Sequence, residues 1–281
     1  MESMGGEFMA ETMKGKVIAL AGPRKAEDMA KLVIKMGGTP VLRPAQGTVF
    51  LDHESLSDSI KLWLSEPPAW NVFTTGIGFE AIMSAAEQMG LKDRLLEVIK
   101  GASIAARGYK TVNALKKHGL SPIVRDDDGS TAGLIRSFKS HDLSGKRVML
   151  QLHGESAPVL VSWLEENGAE VTSILPYKHI PPEEQELERL MNEIIAAKVD
   201  AVAFTSAPQF RFLSEFARKQ DKFEELVQAF NGRVIAAAVG KVTAQGLREE
   251  GVDVKVVPEE ERMGSMMVEL GRYFARTDQL L

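Results

Sequence analysis

The chain repeats itself, and that limits its fold more than any single motif does. "GKVIALAGPRKAEDMAKLVIKMGGTPVLRP", from Gly15, is similar to "GKRVMLQLHGESAPVLVSWLEENGAEVTSILP", from Gly145. Further along each copy, "NVFTTGIGFEA" returns as "AVAFTSAPQFRFL", Phe73 recurring as Phe204. A third block, "SIAARGYKTVNALKKHGLSPIVRDDDGSTAGLIRSF", returns as "VIAAAVGKVTAQGLREEGVDVKVVPEEERMGSMMVEL", with Thr111 recurring as Thr243 and Gly119 as Gly251. Matched blocks in one order and at a near-constant offset describe a duplicated unit about half the chain long.

Within each copy, short β-branched apolar runs ("KVIAL", "NVFTT", "SIAAR", "SPIVR") alternate with stretches of helical period that stop at glycine, as left-handed C-caps do. Strands alternating with helices predict a parallel sheet covered on both faces, so the expected fold is two doubly wound α/β domains. Ligands of such sheets bind beyond the carboxyl ends of the strands. The tips Thr74-Thr75 and Thr205-Ser206 fall there, and two units facing across a gap would form a cleft. The proline-rich stretches "PVLRPAQGTVFLDHESL" and "SILPYKHIPPEEQ" are the expected crossings between domains.

Composition excludes several kinds of chemistry. A chain of 281 residues, 44% hydrophobic, has material for one large domain or two small ones, and we read two. A net charge of −5 disfavours nucleic acid and anionic membranes, so an anionic ligand must meet a local basic patch. With no cysteine there is no disulfide, thiolate nucleophile or Cys-ligated metal. Apolar runs such as "RVIAAAVG" are too short to span a bilayer, and the opening "MESMGGEFMAETMKG" lacks the features of a secretory signal. The expectation is a cytoplasmic monomer. Residues 1–13, with four methionines, read as disordered or added by cloning, outside the fold.

Candidate motifs compete with plainer readings. "GIGFEA" (Gly76, Gly78, Ala81) fits G-x-G-x-x-G/A, but it follows the wrong strand and its duplicate has no glycine; a tight strand-to-helix turn is the better reading. "HGESAP" lacks the second glycine of a nucleophile elbow, which makes Ser156 a helix N-cap. The histidines (His53, His118, His141, His153, His179) have no metal-binding spacing. "RDDDGS" and its counterpart "PEEER" read as solvated turns. "GYKTVNALKKHG" and "GKVTAQGLREEG" each place glycine, lysine and threonine at a helix start, where amide donors and a positive dipole converge; Thr111 and Thr243 there are either caps or ligand contacts. Arg24, Arg43, Arg107, Lys110, Lys178, Arg211 and Lys241 lie in or near the same loops.

From about Lys14 onward the chain resembles the uroporphyrinogen-III synthase family. The resemblance is carried by "FTT" at Phe73, "FTS" at Phe204, the block Val239, Gly240, Thr243, Ala244, Leu247 and Gly251, and the tyrosine closing "GAEVTSILPYKH". It implies two flavodoxin-like doubly wound parallel-sheet domains joined by a two-stranded linker, with the active site in the cleft between them. It further implies a discontinuous first domain (14–42 plus 178–274) and an inserted second one (45–175). The implied reaction is a hydro-lyase one: cyclisation of hydroxymethylbilane, a linear tetrapyrrole polycarboxylate, to uroporphyrinogen III with loss of water and inversion of ring D. No cofactor or metal is implied. By the resemblance Tyr177 protonates or orients the leaving hydroxyl, and Thr74, Thr75, Gly76, Thr111, Thr205, Ser206, Lys241 and Thr243 hold substrate. Departures at "AGPRK", Lys241-Val242 and "LQLHGE" keep a second reading open, a catalytically weak tetrapyrrole-binding or regulatory relative.

Overall fold

A computed structural model of the chain describes residues 11–278. The chain opens with β1 (Val17–Leu20), α1 (Ala26–Lys35), β2 (Thr39–Leu42) and β3 (Gly47–Phe50). It continues through α2 (His53–Ser65), β4 (Trp70–Phe73), α3 (Gly76–Gln88), α4 (Lys92–Lys100), β5 (Ser103–Ala106), α5 (Tyr109–Lys117) and β6 (Val124–Arg125). Next come α6 (Thr131–Phe138), β7 (Arg147–Gln151), α7 (Pro158–Glu166), β8 (Glu170–Ile174) and β9 (Tyr177–Ile180). The last part holds α8 (Glu184–Ile195), β10 (Ala201–Phe204), α9 (Ala207–Lys219), α10 (Phe223–Gly232), β11 (Ile235–Ala238), α11 (Lys241–Glu249), β12 (Val254–Val256) and α12 (Met263–Asp278).

These elements form two compact units. One is continuous, Thr48–His179; the other is split, comprising residues up to Gly47 and those from Ile180 onward. Each contains a five-stranded parallel sheet, ordered β12-β11-β10-β1-β2 in the split unit and β6-β5-β4-β7-β8 in the continuous one. The expected doubly wound α/β class is therefore observed. β3 and β9 pair as a separate two-stranded ribbon.

The sheet orders show how the repeat is used. β1–β2 come from the first copy and share a sheet with β10–β12 of the second; β7–β8 come from the second copy and share a sheet with β4–β6 of the first. Each sheet is thus a hybrid of both copies, with strands in equivalent order. Strand direction of build reverses between β1 and β10 in one sheet, and between β4 and β7 in the other. Such switch points are where adjacent βα loops part and leave a crevice.

Alternation along the central strands supplies both faces with apolar side chains. In β1, Ile18 and Leu20 pack with Met29, Val33 and Met266, whereas Ala19 faces the cluster of Phe204, Phe210 and Phe230. In β4, Trp70 and Val72 pack with Phe138 and Leu150, whereas Phe73 faces Trp63, Phe79 and Met149. Helices end as their glycines require: Gly37 after α1 and Gly251 after α11 take φ of 82° and 85°.

One expectation about the N-terminal segment is corrected. Met13 is fully buried among Val33, Met36 and Phe274, and its N–H donates to Met36 O at 2.8 Å, so Met13 belongs to the split unit's core. Residues 1–10, also set aside on sequence, lie outside the described residues.

Candidate functional site

In the continuous unit the switch point is built from the ends of β4 and β7. Phe73 is paired with Gln151, so Thr74 and Thr75 leave the sheet beside the Gln151 side chain. That carboxamide is fully buried, and its Oε1 accepts from both Thr74 N–H and Thr75 N–H at 3.1 Å. Its Nε2 donates to Leu152 O and, at 3.2 Å, to Thr75 Oγ1. Thr74 Oγ1 in turn donates to Gln151 O at 2.7 Å, and Thr74 is buried. The expected open donor set at this tip is therefore already filled by a glutamine that the sequence reading did not single out. The signal was present: "RVMLQ" ends a buried strand on a polar residue, which must find internal partners.

Thr75 is the tip residue whose side chain turns outward. It caps α3, accepting from Gly78 N–H at 3.3 Å, and its Oγ1 lies 3.1 Å from the Tyr177 hydroxyl. A hydroxyl has two lone pairs and one proton. With both lone pairs receiving N–H groups from Gly78 and Gln151, the proton of Thr75 is directed to the Tyr177 oxygen. The phenolic proton of Tyr177 is then directed elsewhere. The ring is held between Phe50 and His179, at centroid distances of 5.6 and 5.5 Å, and is buried.

The glycines of "GIGFEA" serve packing. A Cβ on Gly76 would stand 2.7 Å from Lys110 O and 3.2 Å from Ala114 Cβ, so this glycine lets α3 and α5 approach. One on Gly78 would collide with Gln151 Nε2 at 2.1 Å. The side of Gly76 where a Cβ would stand therefore faces α5. Thr111 is buried within the first turn of α5, whose N-cap is Gly108. A groove of about 820 Å³ runs between α3, α5 and the start of α2; Phe50, Ile77, Glu80, Lys110 and Lys117 line it.

Two further polar groups follow β5 and β7. Arg107 donates to Thr131 Oγ1 at 2.9 Å, and burial lowers its pKa against the opposing pull of Tyr177 and Asp126. His153 follows β7; burial, with the charges of Arg107 and His179, lowers its pKa to about 3. Asp126, read as part of a solvated turn, ties two loops together by accepting from Gly108 N–H and Gly129 N–H. Ser156 is not a cap: α7 begins at Pro158 with Ala157 as N-cap. Among the described residues no group of histidines and carboxylates is arranged to hold a metal.

In the split unit the tip of β10 is closed in a parallel way by a different residue. Gln209, from the first turn of α9, accepts from Thr205 N–H at 2.8 Å and donates to Thr205 Oγ1 at 2.9 Å. Thr205 Oγ1 also fills the space beside Gly22, where a Cβ would come within 2.2 Å. Ser206, the N-cap of α9, donates to Gln46 Oε1. At α11, Glu261 accepts from Lys241 N–H at 3.0 Å and lies against Gly240, so an internal carboxylate holds the helix N-terminus expected to receive substrate. Thr243 is buried in the first turn, and Gly240 is the N-cap. Of the basic residues, Arg43 is bound through two 2.7 Å hydrogen bonds to Glu193, and Arg211 lies 3.6 Å from Glu215.

These features define a class: a duplicated protein of two doubly wound α/β units, with a hydroxyl-ended strand at the switch point of each sheet. The family model for uroporphyrinogen-III synthase HemD matches residues 27–268, and the chain belongs to that family. A mutant uroporphyrinogen III synthase of Thermus thermophilus superposes with a TM-score of 0.80 at 35% identity, over 95% of this chain and 100% of that one. A putative uroporphyrinogen-III synthase of Methanothermobacter thermautotrophicus is 27% identical over 88% of this chain and 94% of its own length. The uncharacterized protein YjjA of Bacillus subtilis is 51% identical over 95% and 98%. Among the described residues no helix is long and apolar enough to cross a membrane.

Proposed function

We propose that the chain is a hydro-lyase that cyclises hydroxymethylbilane to uroporphyrinogen III, with loss of water and inversion of ring D. The observation that carries this reading is the buried Tyr177 hydroxyl 3.1 Å from Thr75 Oγ1 at a sheet switch point, in a chain of this family. Thr75 orients the phenol by donating to it, so Tyr177 can offer its own proton to the departing hydroxyl. A phenol is a modest acid, and the effect on rate is correspondingly partial. The leaving group needs little more than that proton, because the pyrrole stabilises the cation left behind. What remains is holding a flexible polycarboxylate so that ring D is attacked at its substituted carbon, which is catalysis by positioning. Thr75 and Ser206 are the strand-tip side chains proposed to take part; Lys241, on the exposed rim of α11, adds positive charge.

A second reading, a tetrapyrrole-binding relative with weak activity, is favoured by the internal occupation of the expected donors. Gln151 and Gln209 fill the strand tips and Glu261 fills the α11 N-terminus. The deciding experiment supplies freshly generated hydroxymethylbilane and separates the oxidised uroporphyrin isomers. Predominant isomer III supports the synthase; isomer I alone, as in the control without protein, supports the binding relative.

A further inference from the structure

Arg107 and His153 are two polar groups that the scheme above leaves unused, and each is under-satisfied. Arg107 leaves β5 with its N–H donating to Phe73 O at 2.9 Å, which fixes its backbone at the sheet end. Among the described residues no carboxylate lies within ion-pair distance of its guanidinium. Asp126, the carboxylate that acts on it electrostatically, has one oxygen on Gly108 N–H and the other on Gly129 N–H. Among the described residues, the hydrogen bond to Thr131 leaves most of the guanidinium donors without a protein acceptor. Arg107 is half-buried and its remaining nitrogens are not shut off from solvent, so an anionic ligand can reach them.

His153 supplies the independent second observation. Its Nδ1 is buried and has no hydrogen-bond partner. The turn that carries it is fixed: His179 N–H donates to Gly154 O at 3.0 Å, and Gly154 lies so close to the His179 ring that a Cβ would come within 2.4 Å of Cδ2. A neutral imidazole whose Nδ1–H meets an acceptor donates one hydrogen bond without adding charge.

We propose that Arg107 and His153 form a carboxylate-binding subsite at the carboxyl ends of β4, β5 and β7, with Tyr177 at its side. One cation with a planar fork of donors, plus one neutral donor, matches a two-oxygen monoanion better than a phosphate dianion. The subsite stands on the placement of both residues just past the ends of β5 and β7, on either side of β4, and on their unfilled donors; that the acid is a side arm of a bilane rests on the function proposed above. Binding also has a linked signature. The groups facing His153 are Arg107 and His179, which oppose its protonation, with Tyr177 and Asp126 acting on Arg107. A carboxylate placed between Arg107 and His153 offsets that opposition, so the His153 pKa rises on binding.

The test uses the full chain, 15N-labelled, with the His153 imidazole signals assigned by their loss in His153→Gln. Propionate is titrated in, with inorganic phosphate as the comparison. Expected are saturable shifts of the His153 signals with a Kd on the order of millimolar, a rise in its pKa, and at least about tenfold weaker binding in Arg107→Gln. Thr131→Val, which only frees the guanidinium, weakens binding less and guards against a misfolded Arg107 variant. Signals that do not move up to about 100 mM propionate overturn the proposal. So does equal binding in a folded Arg107→Gln, and phosphate binding more tightly than propionate removes the carboxylate assignment. Propionate binding together with isomer I alone in the bilane assay keeps the subsite and removes the synthase reading. Isomer III together with unimpaired binding in Arg107→Gln does the reverse.

Discussion

Replacing Gln151 by Met tests whether the strand tip is held by the protein itself. Methionine keeps nearly the same volume and length in a fully buried position but removes the carboxamide. Thr74 N–H and Thr75 N–H both lose their 3.1 Å acceptor, and Leu152 O loses a donor. Each buried group left unpaired costs about 1–3 kcal/mol; because Thr75 is only half-buried, water recovers part of its share, and the expected loss is roughly 2–4 kcal/mol. Two units need not unfold in one transition, so the probe must be local. Trp63, Trp70 and Trp163 are the chain's three tryptophans and all lie in the continuous unit, so their fluorescence reports the unit that carries the mutation. With a urea m-value of about 2 kcal/mol/M, the fluorescence midpoint falls by roughly 1–2 M. A midpoint within a few tenths of a molar of the parent refutes the reasoning, because it means that solvent satisfies the tip amides as well as Gln151 does.

Three further outcomes follow from the same geometry. Tyr177→Phe keeps the ring between Phe50 and His179 and removes the proton, so kcat for isomer III falls by roughly 10- to 100-fold with KM little changed, measured by the isomer assay; an unchanged kcat removes Tyr177 from the mechanism. Gly76→Ala drives a methyl against Lys110 O and Ala114 and costs about 1–3 kcal/mol, read as a lower fluorescence midpoint; a stability gain, as expected of Gly→Ala in an unobstructed helix, sinks the packing argument. His153 is neutral in the fold, with a pKa of about 3 against 6.5 unfolded. The unfolded chain therefore takes up the proton first: its contribution to stability is full above about pH 6.5 and is lost as pH falls towards 3, by up to about 1.4 kcal/mol per pH unit. His153→Gln flattens the difference between fluorescence midpoints at pH 7 and pH 5; equal pH dependence in both proteins contradicts the assignment.

The architecture was legible because it is written twice. Strand-length apolar runs, glycine-stopped helices and the recurrence of Phe73 at Phe204 point to parallel sheets, and the strand tips fall where such sheets bind ligands. The content of the tips was harder to read. Thr74 and Thr75 are adjacent and look alike in sequence, yet one hydroxyl turns into the sheet end and the other toward Tyr177, because successive residues of an extended tip point to opposite sides. Gly76 has the spacing of a phosphate-binding glycine, but its reason is the α5 backbone at 2.7 Å, a contact made by residues more than thirty positions away. Met13 looked like part of a loose leader because burial is decided by distant partners such as Phe274.

The repeat also shows where the two copies have diverged. Both sheets close their equivalent tips with a glutamine, but Gln151 reaches across from the neighbouring strand while Gln209 reaches back from the helix that follows. In the continuous unit that choice leaves Thr75 Oγ1 able to engage Tyr177, and Arg107 and His153 lie alongside. In the split unit Gln209 takes Thr205 at both ends, Ser206 is bound to Gln46, and Arg43 is locked to Glu193. A duplicated fold thus carries two switch points of the same geometry, but only the one at β4 and β7 combines an oriented phenol with an unpaired guanidinium among the described residues. Replacing Tyr177 there changes chemistry before stability, whereas replacing Gln209 or Arg43 acts first on packing and hydrogen bonding.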